Sequence, residues 1–252
     1  MRINIFFTPL GLTSADIAGK PVIVIDILRA TTTIITALAN GAKAVIPAAA
    51  PDEAARIAQN LERGGVLLAG ERRFEPIDGF DLGNSPREMT AAAVTGKTIV
   101  MSTTNGTLAI QAAEAGNPVL VGAAINFSAV VERATPLVEA QGEISILCAG
   151  RERGFALEDA YAAGRFAQAL LPPGGRRKVE LNDAGVAALE LIKRYGDRWK
   201  RAVSASAAAR DLGKKGYRDD VVAATEVDRY DLVAVYDERQ VTLGRDAETP
   251  RR

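Results

Sequence analysis

The segment VIVIDILRATTTIITALANG, residues 22–41, places four β-branched apolar residues before one carboxylate, Asp26, and then an arginine and three threonines. A short apolar run of this kind is typical of a buried strand. The alanine-rich stretch that follows it, ending at Gly41, is typical of a helix with a glycine just past its last turn. The segment therefore predicts a strand-to-helix corner of an α/β protein, with polar side chains at the turn.

The same plan recurs further along the chain. TIVMSTTNGTLAIQAAEAG, residues 98–116, has a hydroxyl-rich turn, and ISILCAGRERGFALEDAYAAG, residues 144–164, has a longer one. Because ligands of open α/β sheets bind beyond the carboxyl ends of strands, we expect the three corners to meet at one site.

Short Val/Ile-rich runs alternate with amphipathic stretches along the chain, which predicts an α/β sheet covered by helices on both faces. We predict strands near 2–7, 21–27, 43–47, 66–69, 97–102, 119–122, 143–148 and 230–236. We predict helices near 31–40, 51–63, 85–94, 105–115, 127–140, 156–170, 182–195 and 198–210.

The 252 residues suffice for one large domain. LLPPGGRRK, residues 170–178, is the best internal linker and precedes an expected helical insertion near 175–228. The chain after 237 lacks a sustained apolar pattern, and we expect a mobile tail over 245–252.

The composition limits the chemistry that is available. Thirty-one basic and 31 acidic residues create no global field for nucleic acid or an anionic membrane. One cysteine and the lack of an apolar leader or a long apolar run lead us to expect a cytoplasmic protein. Without any histidine, catalysis would need carboxylates, arginines, hydroxyls or a hard metal ion.

Two interpretations of the first corner stay open. Asp26 and Arg29 form either a structural ion pair beside helix-capping threonines or part of an anion site at the start of the helix. In the second case Asp26 would hold a metal or attack phosphorus, and Thr31 and Thr32 would bind phosphate.

The second corner and the loop before it add further polar candidates. Ser102, Thr103, Thr104, Asn105 and Gly106 form either an ordinary helix cap or a second part of an anion cradle. In the loop GERRFEPIDGFDLGNSPREM, residues 70–89, Ser85-Pro86-Arg87-Glu88 fits a capping box at a helix start. Glu71 and Asn84 have no such structural explanation, and long charged loops are often functional.

The third corner supplies Cys148, Arg151 and Arg153, followed by Glu158 and Asp159 in the first turn of a helix. A cysteine phosphatase needs an arginine six positions after the cysteine, where this chain has Gly154, so a thiolate nucleophile is disfavoured. Successive helical residues point about 100° apart, so we expect only one of the two carboxylates to face a pocket. Asp26 with these carboxylates fits Mg²⁺, which takes one or two carboxylates plus water and substrate phosphate.

Four polar blocks, the corner at 22–41, the loop at 70–89, MSTTNGTLAI at 101–110 and CAGRERGFALEDAYAAG at 148–164, together resemble the 2-phosphosulfolactate phosphatase family. DRYDLVAVY near the end extends the resemblance to nearly the whole chain. The resemblance implies a three-layer α/β/α fold with a mixed, mostly parallel sheet. It also implies Mg²⁺-dependent hydrolysis of (2R)-2-phospho-3-sulfolactate to 3-sulfolactate, a step towards coenzyme M in relatives.

We therefore expect Asp26, Arg29 and Glu158 to be catalytic, with Asp26, Glu158 and Asp159 as metal ligands. The expected partner is a small phosphorylated anion, with neither nucleic acid nor membrane, and the protein could form a homodimer. Three alternatives stay open: a different phosphorylated 2-hydroxy acid as substrate, a non-catalytic phosphoanion-binding protein, and a haloacid dehalogenase-type phosphatase. The last is weak because Asp26-Ile27-Leu28 lacks the required Asp-x-Asp. The expected substrate-binding residues are Thr31, Thr32, Glu71, Asn84, Ser85, Ser102, Thr103, Thr104, Asn105, Gly106, Cys148, Arg151 and Arg153.

Overall fold

A mixed eleven-stranded sheet with helices on both faces forms the body of the protein. The computed structural model describes residues 1–61, 64–172 and 179–244. The strands are β1 (Arg2–Phe6), β2 (Val22–Ile25), β3 (Ala44–Pro47), β4 (Val66–Arg72), β5 (Glu75–Pro76), β6 (Thr98–Ser102), β7 (Val119–Gly122), β8 (Glu143–Cys148), β9 (Glu180–Leu181), β10 (Ala234–Asp237) and β11 (Gln240–Leu243). The α-helices are α1 (Ser14–Ile17), α2 (Ala30–Ala39), α3 (Pro51–Gln59), α4 (Ala91–Val94), α5 (Gly106–Ala112), α6 (Phe127–Gln141), α7 (Leu157–Ala169), α8 (Asp183–Tyr195), α9 (Trp199–Ser204), α10 (Ala207–Lys214) and α11 (Arg218–Ala223).

The strand order is β5-β4-β6-β3-β11-β10-β7-β2-β8-β1-β9. β4, β6 and β3 form one parallel block, and β7, β2, β8, β1 and β9 form a second. The β10–β11 hairpin joins the blocks through antiparallel pairs with β7 and β3. The predicted α/β class with a mixed, mostly parallel sheet is confirmed.

The corner that contains Asp26 lies at the centre of this core. All four residues of β2 are fully buried, which suits a strand with neighbours on both edges and helices over both faces. Helix α2 is buried on all sides from Ala30 to Leu38, so its threonines must find hydrogen-bond partners within the protein.

Two predicted helices differ from the structure. The helix expected over 85–94 begins only at Ala91, where Thr90 is the N-cap and accepts a hydrogen bond from the Ala93 amide at 3.3 Å. Ser85 begins a short turn and not a helix: its hydroxyl accepts from the Arg87 amide at 3.3 Å and donates to Asp220 at 2.7 Å. The helix expected over 198–210 is two helices, α9 and α10, since Ser206 caps a new start.

Within the described residues, the structure has one strand beyond the last predicted strand, 230–236. β11 covers Gln240–Leu243 and lies in the middle of the sheet, where Val241 pairs with Val45 and is fully buried. A four-residue strand with only two apolar residues has too weak a pattern to be recognised from its sequence. The expected tail over 245–252 and most of the expected linker over 170–178 lie outside the described residues.

The two parallel blocks run in opposite directions when their pairings are followed through the hairpin. In a flat sheet this would place the ends of β2 and β6 at opposite edges. They meet nonetheless, since Gly106 packs directly against Asp26 and Ala30.

Candidate active site

A small polar pocket lies where the carboxyl ends of β2, β4, β6 and β8 converge, with a volume of about 40 Å³. This is room for an ion or a few water molecules. All three predicted corners and the 70–89 loop contribute to it, as expected from the sequence. Its lining residues are Asp26, Leu28, Arg29, Glu71, Arg73, Phe74, Asn84, Thr104, Asn105, Arg151 and Glu152.

Asp26 follows β2 and is only 7% exposed. Its Oδ1 accepts a hydrogen bond from the Ala30 amide at 3.2 Å. Burial, with the nearby negative charges of Glu71 and Glu158, raises the pKa of Asp26 to about 7. Position 106 has to be glycine, since a Cβ there would lie 2.5 Å from Asp26 Oδ2. The second corner, which follows β6, is thus shaped around the Asp26 carboxyl.

Arg29 is also buried and lines the pocket beside Asp26. Its Nη1 donates to Asp220 Oδ2 at 2.7 Å, and its Nη2 donates to the Phe74 carbonyl at 3.1 Å. The ring of Tyr217 lies 4.3 Å from the guanidinium carbon. The structural ion pair expected for Arg29 therefore exists, but its partner is Asp220 rather than Asp26.

Glu71 connects two turns of the pocket. Its Oε2 accepts from the Phe74 amide at 2.7 Å, and its Oε1 accepts from the Thr104 amide at 2.8 Å. Arg73 and Phe74 both have positive φ, 53° and 72°, which is uncommon for residues other than glycine. The two hydrogen bonds to Glu71 hold this unusual turn in place.

The two carboxylates of α7 have different roles, as their angular separation predicts. Asp159 accepts from the Ile27 amide at 2.9 Å and from the Gly150 amide at 3.1 Å, so it joins the first corner to the third. Burial raises the pKa of Glu158, and the Ser206 hydroxyl and Arg151 oppose that shift. Glu158 is close enough to Asp26 to raise the pKa of that carboxyl. Neither Glu158 nor Asp159 is among the described residues that line the pocket, and Asp26 also raises the pKa of Asp159. Because backbone amides occupy both oxygens of Asp159, Glu158 is the carboxylate of α7 that is left to share a cation with Asp26.

The threonine hydroxyls of α2 face the protein rather than the pocket. Thr31 donates to the Asp26 carbonyl at 2.8 Å, and Thr32 donates to the Ile27 carbonyl at 2.9 Å. Thr33 donates to the Asn84 carbonyl at 3.1 Å. These bonds shape the corner, so the structure does not place Thr31 and Thr32 as direct phosphate ligands.

The polar residues of the second corner fall into two groups, those that bond within the protein and those that line the pocket. The Ser102 hydroxyl donates to the Ala48 carbonyl and accepts from Arg72, and Thr103 pairs with Thr107. Thr104 and Asn105 do line the pocket.

In the third corner, Arg151 lines the pocket, and its Nη2 donates to Asp211 Oδ2 at 2.8 Å. The ring of Phe74 lies 5.1 Å from its guanidinium carbon. Arg153 is exposed and is not among the described residues that line the pocket. Cys148 is fully buried, and this burial raises the pKa of its thiol well above the usual value, so it is not placed for contact with a substrate.

Sequence reasoning did not single out Leu28, Phe74 or Glu152, which line the pocket. No motif marks Asp211 or Asp220, which reach Arg151 and Arg29 from α10 and α11. The pairs of Asp220 with Arg29 and with Ser85 span 191 and 135 residues, so no local pattern carries them.

Unpartnered polar atoms concentrate at this pocket. Within the described ranges, six buried side-chain nitrogen or oxygen atoms have no hydrogen-bond partner, and three of them, Arg29 Nε, Asn84 Oδ1 and Thr104 Oγ1, belong to pocket residues. Buried polar atoms are normally paired, and unpaired ones at a pocket point to a polar ligand. Two of the three groups are donors, which suits an anion.

A cation also fits the pocket. Asp26, Glu71 and Glu158 lie close enough for the last two to raise the pKa of Asp26, and a divalent cation would relieve that repulsion. The described part of the chain contains no preformed group of three or more acidic, histidine or cysteine residues able to enclose a metal. One or two carboxylates completed by water and substrate is the usual arrangement for Mg²⁺.

The fold and pocket define an α/β protein with a buried carboxyl and anion-directed donors at the ends of its strands. The family model described as 2-phosphosulpholactate phosphatase matches residues 6–239. The chain belongs to this family, whose activity is that of a phosphoric monoester hydrolase, and it is an enzyme of that class.

Individual relatives agree with the family assignment. A protein named probable 2-phosphosulfolactate phosphatase from Symbiobacterium thermophilum is 39% identical over 228 residues, 90% of this chain and 96% of the relative. A protein of the same name from Caldanaerobacter subterraneus is 36% identical to this chain, over 92% of this chain and 94% of the relative. In Deinococcus radiodurans the identity is 38%, over 84% of this chain and 85% of the relative.

None of the helices in the described residues has the length and apolar character needed to cross a membrane.

Proposed function

We propose that the protein hydrolyses (2R)-2-phospho-3-sulfolactate to 3-sulfolactate and inorganic phosphate with the help of Mg²⁺, in the cytoplasm. The observation that carries the proposal is the grouping of Asp26 with unpartnered atoms of Arg29, Asn84 and Thr104 around one pocket. The names of the relatives support the substrate. In relatives of this family the product leads towards coenzyme M, and we extend that role to this chain as part of the proposal.

Asp26 and Glu158 are the residues that would hold Mg²⁺. The bound ion would supply positive charge to the phosphate oxygens and lower the cost of ionising Asp26. Asp159 would not contribute, because both of its oxygens already accept backbone hydrogen bonds.

The side chains of the pocket would position the phosphoryl group. Arg29 Nε–H and the Thr104 hydroxyl donate to its oxygens, which carry the negative charge in phosphoryl transfer. Arg151, at the more exposed side of the pocket, binds the carboxylate or sulfonate at the other end of the substrate.

Two chemical routes fit Asp26. In the first, an Asp26 carboxylate oxygen bonds to phosphorus as the ester P–O bond breaks, and water then hydrolyses the acyl phosphate to regenerate the carboxylate. In the second, water attacks phosphorus directly as the ester P–O bond breaks, the proton that the water loses ends on the ester oxygen, and Asp26 acts only through its charge. In both routes the ester oxygen leaves with the electron pair of the broken bond and ends as the protonated hydroxyl of 3-sulfolactate.

A substrate panel tests the proposal. Phosphate release would be measured from 2-phospho-3-sulfolactate, 2-phospholactate, 2-phosphoglycerate and phosphoglycolate, each with Mg²⁺ and with EDTA, on the wild type and on Asp26→Asn. We expect the highest kcat/KM for the sulfonated substrate, loss of activity in EDTA and loss in the variant. Preference for another acid would assign a different substrate, and phosphate binding without turnover would indicate a non-catalytic anion-binding protein.

A further inference from the structure

Three groups fix the guanidinium of Arg29 inside the protein. Asp220 accepts from Nη1 at 2.7 Å, the Phe74 carbonyl accepts from Nη2 at 3.1 Å, and the Tyr217 ring stacks at 4.3 Å. The side chains of Arg29 and Asp220 are each only 2% exposed. Arg29 therefore has one orientation, set mainly by contacts from outside its own corner.

Asp220 is itself held in place. It lies in α11, and its Oδ1 accepts from the Ser85 hydroxyl at 2.7 Å while Oδ2 accepts from Arg29. Ser85 belongs to the loop that also carries Asn84, a pocket residue. The carboxylate thus ties α11, the 70–89 loop and the first corner to one point beside the pocket.

One donor of Arg29 is left over by this arrangement. Nε is buried and has no partner in the part of the chain that the structure describes, although Arg29 lines the pocket with Asp26. A buried ion pair contributes little net stability, because the cost of removing both charges from water offsets their attraction. A guanidinium group whose two Nη atoms are hydrogen-bonded and whose Nε–H is unpaired is instead suited to hold a ligand oxygen in a defined position.

We infer that Asp220 is a positioning residue for the reaction, which orients Arg29 so that its Nε–H reaches the phosphoryl group. This role rests on the proposed function. It goes beyond that function because Asp220 lies in a helix more than 190 positions from Arg29 along the chain and is outside the pocket lining.

The adjacent residue provides a matched control. Asp219 pairs with Arg87 on the surface, with both side chains at least 60% exposed. We expect Asp219→Asn to leave kcat and KM unchanged. We expect Asp220→Asn to lower kcat by about 10- to 100-fold, as for a misplaced catalytic group, with a smaller change in KM.

A double-mutant cycle separates positioning from general destabilisation. Arg29→Lys would be measured alone and combined with Asp220→Asn. If Asp220 acts through Arg29, the second substitution adds little to the loss of kcat caused by the first. A purely structural role would make the two losses multiply.

A second variant and a binding measurement cover the case in which Asp220→Asn does not fold. Ser85→Ala keeps the ion pair and removes the hydrogen bond to Asp220, together with the long bond from the Arg87 amide at 3.3 Å. We expect a several-fold fall in kcat with a normal circular dichroism spectrum. Affinity for inorganic phosphate with Mg²⁺, measured by calorimetry, should fall about tenfold in Asp220→Asn and remain unchanged in Asp219→Asn.

The outcomes distinguish this inference from the proposed function. A wild type without turnover on the whole panel contradicts the proposed function, and phosphate affinity then decides the role of Asp220. Equal kcat and equal phosphate affinity in the Asp219 and Asp220 variants would overturn the inference. So would a wild type that binds no phosphate, because Arg29 would then have no ligand to position.

Discussion

At Asp26 the folded protein holds a buried carboxyl group whose pKa is raised to about 7, chiefly by burial. In the unfolded chain this group ionises near 3.8. The folded state thus binds more protons between these two values, and stability falls as the pH rises through this range. Above pH 7 the full cost of the charged carboxylate is present, unless a cation offsets it.

Replacing Asp26 by asparagine should therefore separate stability from activity. Asn keeps the acceptor for the Ala30 amide and carries no charge, so in EDTA at pH 8 it should stabilise the protein by roughly 2–4 kcal/mol. At pH 4 the difference from the wild type should vanish. Differential scanning calorimetry at both pH values measures this, and kcat should fall by about 100-fold or more in the same variant.

The control is Mg²⁺ itself. At pH 8, Mg²⁺ should raise the melting temperature of the wild type more than that of Asp26→Asn. Only the wild type offers the ion a negatively charged oxygen at position 26. A variant less stable than the wild type at pH 8 in EDTA would contradict the electrostatic account of Asp26.

At the level of elements, three two-residue turns in the described residues have positive φ at both central positions and contain no glycine. Two of them, Arg73-Phe74 and Glu152-Arg153, contribute to the pocket, and the third, Glu238-Arg239, closes the β10–β11 hairpin. Such turns normally favour Asn-Gly, and other residues make them less stable. Backbone strain of this kind tends to persist at functional sites.

The hairpin turn away from the pocket allows this strain to be tested. Glu238→Asn combined with Arg239→Gly should stabilise the protein by about 1 kcal/mol, because both residues then suit the left-handed backbone. The ion pair of Arg239 with Glu114 that would be lost is long, at 3.8 Å, and exposed, so its loss should cost little.

Urea denaturation measures the gain, and phosphate release measures the activity, which should equal that of the wild type. An unchanged urea midpoint would show that the wild-type turn is unstrained. A changed kcat would show that the hairpin communicates with the pocket.

For the whole molecule, the β10–β11 hairpin is the joint between the two parallel blocks. Val241 is fully buried in β11 and pairs with Val45 of β3, whereas Leu243 of the same strand is 46% exposed. The stability of the complete sheet should thus depend on the short strand that lacks an obvious sequence pattern.

Val241→Ala should destabilise the protein by about 2 kcal/mol or more, because it leaves a cavity at this joint. Leu243→Ala is the matched control and should change the free energy of unfolding by about 0.5 kcal/mol or less. Both are measured by urea denaturation with circular dichroism. Equal small effects of the two substitutions would mean that the hairpin is not part of the cooperative core.

The sequence alone determined the α/β class, most of the helices and strands, and the three polar corners. Each of these depends on local patterns, such as the apolar run before Asp26 or the alanine-rich helix after it. The same patterns could not distinguish hydroxyls that face a ligand site from hydroxyls that donate hydrogen bonds to the backbone. Thr31 and Thr32 satisfy carbonyls of their own corner, while Thr104 faces the pocket.

The tertiary structure decided how the corners meet and which groups support them. Helix α11 brings Asp220 to Arg29, and Gly106 packs against Asp26 although their strands belong to opposed blocks. These contacts join residues that are far apart in the chain, so their energies depend on packing and burial. Local sequence propensity does not reflect these packing and burial energies, because the contacts exist only once the sheet has formed.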